Sequence, residues 1–168
     1  MRNPYFFCFV AGIFLSSISS NAQVTSCDKL KSVIQCIRLG SQQFMGEPLN
    51  KKDATPTQYG SKISVYPKNN AWLVTRKGSK SPYIYYEYLS ENITPEKSLS
   101  VFNYFLYALK ACPGAEKLTE KKVFPDTEKE AIYNSGDYSI HLFLRKKYMK
   151  STYYVLLEVS FMQPEDFY

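Results

Sequence analysis

Histidine and tryptophan each occur once in this 168-residue chain, and glycine only seven times. The lone His141 leaves no imidazole pair to bind zinc, and no Cys-x-x-C spacing stands in for one. The glycines are isolated, so no phosphate-cradling loop is spelled out and no cofactor is expected. Beyond residue 22, no apolar run approaches the ~20 residues of a membrane-spanning helix. No internal repeat or Gly/Ser-rich linker divides the chain, and its length suits one domain. Hydrophobic residues at 45% and charged residues at 21% exclude a collagen-like, coiled-coil or disordered protein. The net charge of +6 is modest. It favours solubility and weak attraction to anionic surfaces rather than nucleic-acid binding. The densest basic cluster, Arg145, Lys146, Lys147 and Lys150, reads as a solvated hairpin tip.

The first 22 residues read as an address. Arg2 supplies a positive start, Tyr5–Leu15 is a continuous apolar run, and Ser20-Asn21-Ala22 supplies small residues before a cut. This pattern predicts a secretory signal over 1–22, cleaved after Ala22, and a single α+β domain over 23–168 in the secreted or periplasmic space. Val24-Thr25-Ser26-Cys27 loosely matches a lipobox, so a lipid anchor at Cys27 is the lesser alternative.

Cys8 leaves with the signal, and three cysteines remain for an oxidising compartment. Cys27 and Cys36 lie nine residues apart. On one helix they would point to opposite sides about 13 Å apart along the axis, too far to bond. A bridge must therefore join Cys112 to one of them. Cys27–Cys112 is favoured, because it would tie down the start of the mature chain and leave Cys36 a buried thiol.

Apolar spacing at Leu30, Val33, Ile34, Ile37 and Phe44 predicts a helix over 26–45, capped by Thr25 or Ser26 and stopped by Gly46 and Pro48. Residues 46–60 read as a polar loop. Lys62–Tyr66, Ala71–Arg76 and Tyr83–Leu89 read as three strands of a meander. Thr94-Pro95-Glu96 opens a second helix with an apolar stripe from Leu99 to Cys112. Residues 115–136 are ambiguous, with short helical turns at 116–122 and 127–133. Tyr138–Arg145 and Thr152–Phe161 alternate most cleanly and read as the closing strand pair.

These readings give the order α-β-β-β-α-β-β. The expected fold is α+β, a five-stranded antiparallel sheet with two main helices on one face. From Cys27 to Phe161 this order resembles type III secretion chaperone-like α+β sandwiches. It is also similar to small exported bacterial proteins that carry an N-terminal Cys helix and a second helix ending in Cys-Pro, here Cys112-Pro113.

Two helices roof only one side of a sheet. Alternation then places Tyr83, Tyr85, Glu87, His141, Phe143, Tyr154 and Leu156 on the other side, with Tyr66 beside them. An exposed aromatic patch of this kind marks an interaction surface. The expected function is non-enzymatic binding of a protein, peptide or glycan through Tyr66, Tyr83, Tyr85, His141, Phe143 and Tyr154. An inhibitor of a secreted enzyme is one form, and a homodimer another use of the face. The alternative is a small secreted hydrolase with His141 as general base.

Overall fold

The computed structural model describes residues 26–50, 57–66, 70–76, 82–123 and 127–161. The reading of residues 1–22 as a signal lies outside them. Helix α1 occupies residues 26–39 of the described chain. The strands β1 (Met45–Pro48), β2 (Thr57–Ser61), β3 (Ala71–Thr75) and β4 (Pro82–Ile93) follow. Then come helix α2 (Pro95–Lys110) and β5 (Thr119–Lys121), β6 (Lys129–Asn134), β7 (Tyr138–Lys146) and β8 (Tyr153–Phe161). All eight strands form one antiparallel sheet in the order β1-β2-β3-β4-β8-β7-β6-β5.

This corrects the five-stranded sheet, and with it the element order behind the resemblance to chaperone-like sandwiches. The α+β class and the two helices remain. The additional strands lie at the two edges, where pairing needs little apolar surface. β2 reads TQYGS, and β5 reads TEK with every residue exposed. Neither carries the alternation that marks a half-buried strand. In place of the helical turns read over 116–122 and 127–133, β5 and β6 form a hairpin with Thr119 opposite Ile132. Charges on β5 blunt the free edge against pairing with another chain.

α1 ends six residues earlier than expected, because Gly40 takes a left-handed φ of 60°. Its N–H donates to the Ile37 carbonyl at 3.4 Å, and the Ser41 N–H donates to the Cys36 carbonyl at 3.0 Å. This is a Schellman stop, in which glycine carries no Cβ penalty. Phe44 consequently leaves the helix and packs against the core from the loop before β1. α2 begins as its sequence predicts, with extended Thr94 at the cap, Pro95 in the first turn and Glu96 beside the positive end. The Thr94 side chain makes no cap hydrogen bond.

The core lies between the two helices and one sheet face. Leu30, Val33, Ile34 and Ile37 of α1 meet Phe102, Leu106 and Leu109 of α2 there, over Leu142, Leu144, Val155 and Leu157 of β7 and β8. Cys27–Cys112 is bonded, joining the start of α1 to the residues just past α2, with Cα atoms 5.0 Å apart. Cys36 is a buried thiol. The bonded Cys27 sulfur cannot carry a lipid thioether, which removes the anchor alternative. Among the described residues, no helix is long and apolar enough to cross a membrane.

Gly46 fixes the first edge. A Cβ there would come within 2.9 Å of the Gly60 carbonyl oxygen across the β1–β2 pair. Because that neighbour is backbone, relief requires the strands to separate. Gly46→Ala is expected to cost about 1–2 kcal/mol. The amides of β1 and β2 should lose hydrogen-exchange protection while those of β7 and β8 keep theirs. Unchanged protection in β2 would show that the edge adapts freely.

Candidate binding face

The strand expected at Lys62–Tyr66 is absent. Residues 62–66 form an irregular segment that brings Ile63 and Val65 to the core. Its amides find a side chain instead of a neighbouring strand. The carboxylate of Glu87, fully buried, accepts from the N–H of Val65 and of Tyr66, both at 2.9 Å. It also accepts from the hydroxyls of Ser64 at 2.8 Å and Tyr85 at 2.6 Å.

That anchor sets the orientation of β4. Tyr85, Glu87 and Leu89 point under the helices, and Ile84, Tyr86 and Tyr88 point to the opposite face. The sequence reading had these two sets reversed. Tyr85 is wholly buried, and burial beside Glu87 raises its hydroxyl pKa well above the ordinary value. It is a core residue and leaves the candidate site. Tyr66 leaves it as well. It packs on the helix side with its ring 5.0 Å from Phe105 of α2, edge to face. Tyr83 is part-exposed at the irregularity where β3 and β4 change register, with the Arg76 guanidinium 5.0 Å above its ring.

His141, Phe143, Tyr154 and Leu156 do stand on the face away from the helices. Registers place them in transverse rows. One row runs Trp72, Tyr86, Glu158, His141, Ile132 across β3, β4, β8, β7 and β6. The next runs Tyr88, Leu156, Phe143, Glu130 across β4, β8, β7 and β6. Every one of these side chains is part-exposed. The Trp72 indole stacks on Tyr86 at 5.2 Å and lies tilted against Tyr88, also at 5.2 Å. Tyr88 meets Tyr154 edge to face at 5.4 Å. Trp72, Tyr86 and Tyr88 thus complete a band that the sequence reading only partly assembled.

The far side of the face is charged and pinned. Arg145 pairs with Glu130 at 3.0 Å and Glu128 at 3.4 Å, and donates to the Lys129 carbonyl at 2.9 Å. Its guanidinium also covers the Phe143 ring at 4.9 Å. Desolvation holds the His141 pKa below its ordinary value, and Lys121 adds to this while Glu130 opposes it. His141 Nδ1 lies 3.7 Å from Glu130 Oε1. The Phe143 ring lies tilted beside this imidazole at 5.5 Å. Burial also raises the Glu158 pKa, although the Tyr86 and Ser160 hydroxyls beside it favour the ionised form. Burial and the nearby Glu158 lift the Tyr86 hydroxyl to about 12. The described residues bring no three His, Cys, Asp or Glu side chains together as metal ligands.

The face therefore offers a ring-lined apolar strip, the carboxyl groups of Glu158 and Glu130 within its rows, and a cationic border pinned at Arg145. Such a surface combines ring area with hydrogen-bonding groups at its edge. No family model, curated protein or solved structure matches the chain.

Proposed function

We propose that this protein is an exported, non-enzymatic binding module, secreted or periplasmic after cleavage at Ala22. Its protein, peptide or glycan partner docks on the helix-free sheet face. The reading rests on the run of contacting, part-exposed rings from Trp72 through Tyr86 and Tyr88 to Tyr154. Aromatic rings give large contact area at low entropic cost, and Tyr and Trp are enriched where partners dock. Glu158 and the tyrosine hydroxyls supply hydrogen bonds that orient the partner. Inhibition of a secreted enzyme is one form of this activity.

Trp72 is the only tryptophan of the chain, so it reports on its own site. Titration of the protein with soluble oligosaccharides and with a peptide library is expected to give a saturable emission change in at least one series. Tyr154→Ala should weaken that binding roughly thirty-fold, as for a residue contributing about 2 kcal/mol, with the melting temperature nearly unchanged. If neither series moves the emission, or the face proves covered by self-association, the reading fails.

A further inference from the structure

The hairpin joining β7 to β8 ends in two large apolar side chains with nothing beneath them. Tyr148 is 86% exposed and Met149 87%, the two most exposed large apolar residues described. Met149 is held at a φ of 56°, a left-handed backbone that a non-glycine residue enters at a cost. The loop nevertheless has a definite shape. The Lys147 N–H donates to the Thr152 carbonyl at 2.8 Å, and the Lys150 N–H donates to the Lys147 carbonyl at 3.1 Å. Lys147 Nζ braces the tip against the end of β4, 3.0 Å from Glu91 and 3.3 Å from Asn92 Oδ1. Lys146 and Lys150 are exposed and make no ion pair among the described residues.

A solvated turn has no use for this combination. Charge alone would keep the tip soluble, and glycine at position 149 would remove the backbone strain. An aromatic ring and a flexible thioether flanked by lysines have the composition of an interfacial anchor. The apolar groups enter the boundary between headgroups and acyl chains, while the ammonium groups remain at the level of the phosphates. The tip is open to solvent, and the exposed Lys146 and Lys150 are at hand for a negatively charged headgroup.

We propose that this hairpin tip is a peripheral membrane-contact site that docks the protein on bilayers rich in anionic phospholipid. Tyr148 and Met149 insert, and Lys146 and Lys150 pair with headgroup phosphates. The site lies outside the aromatic face and does not depend on its function.

The test is co-sedimentation of the protein with large vesicles of phosphatidylcholine alone and of phosphatidylcholine mixed with phosphatidylglycerol. Binding is expected to the mixed vesicles, with partitioning that falls as salt rises. Lys146→Gln with Lys150→Gln should lower partitioning roughly 25-fold, about five-fold for each lysine. Tyr148→Ser with Met149→Ser should lower it roughly ten-fold, because buried apolar area is lost while the charge is kept. All four side chains are exposed, so melting temperatures should hold and a loss of binding cannot be ascribed to unfolding. Three results would overturn the proposal: no sedimentation with anionic vesicles at low salt, equal binding with the Tyr148/Met149 double variant, or full displacement by glycerophosphate at the same headgroup concentration. The last would identify a soluble phosphate compound as the ligand.

Discussion

Glu87→Ala should lower the melting temperature by about 10 °C. The substitution removes the shared acceptor of two backbone amides and two hydroxyls, of which Ser64 has a second acceptor ready in the Tyr66 carbonyl and Val65 a longer one in the Tyr85 hydroxyl at 3.4 Å. A buried donor left unmade costs about 1–3 kcal/mol. Local rearrangement lets some of the four recover a partner, so a total of about 4 kcal/mol is expected. At about 2–4 °C per kcal/mol for a chain of this size, the shift follows. Glu87→Gln should also destabilise, since it places amide N–H groups against donors. The diagnostic measurement is amide exchange. Val65 and Tyr66 should lose protection at denaturant concentrations where β7 and β8 remain protected, because the 62–66 segment has no strand to fall back on. A melting point within ~2 °C of the parent would show that the carboxylate is a passenger.

Breaking the Cys27–Cys112 bond should have an effect of similar size. The bridge spans 85 residues. In the chain-entropy picture, a loop of that length stabilises the fold by roughly 4 kcal/mol, by limiting the unfolded chain. Cys27→Ser with Cys112→Ser, or reduction of the parent, is expected to lower the melting temperature by about 10 °C, and α1 should lose exchange protection first. Cys36 will not reshuffle with the bridge. Burial pushes its thiol up to about 11, so at neutral pH it is protonated and a poor nucleophile. It donates instead to the Ser41 carbonyl at 3.2 Å. A native, unreduced sample of the proposed mature chain, which lacks Cys8, should contain no rapidly reacting thiol. A melting curve insensitive to reduction would place the stabilisation elsewhere.

The sequence carried the interior better than the edges and the face. β7 and β8 alternate without interruption, and α2 is bracketed by Thr94-Pro95 and Pro113-Gly114, so both were legible. The disulfide was legible in two steps: two cysteines nine apart on a helix cannot meet, which leaves Cys112 to pair with Cys27 or Cys36, and Cys27 is the one whose bond ties down the start of the mature chain. β1, β2, β5 and β6 were obscured because strands at or near an edge bury little. The end of α1 was obscured because Gly40 sits inside an apolar pattern that runs on to Phe44. The candidate face was half legible. Its His141, Phe143 and Tyr154 came from clean alternation in the closing pair. In Tyr83–Leu89, tyrosines occupy both faces, and the one charged residue, Glu87, marks the buried side against the usual rule. A carboxylate serving as an acceptor for backbone has no local signature; its donors are about 20 residues away.

The strand order reads up to four and then down from eight, and that mirror arrangement has a kinetic meaning. Every other neighbouring pair in the sheet is consecutive in the chain, so each closes over a short span. The junction of β4 with β8 alone joins ribbons separated by α2 and three further strands. Among the strand pairings, the entropic cost of long-range closure is therefore concentrated in the single junction between the two meanders. That same junction lays Tyr86 beside Glu158 and Tyr88 beside Leu156. Trp72, Tyr86 and Tyr88 already share the first meander, so what this meeting adds is Tyr154, Leu156 and Glu158, and the proposed strip is completed only when the two halves of the chain join.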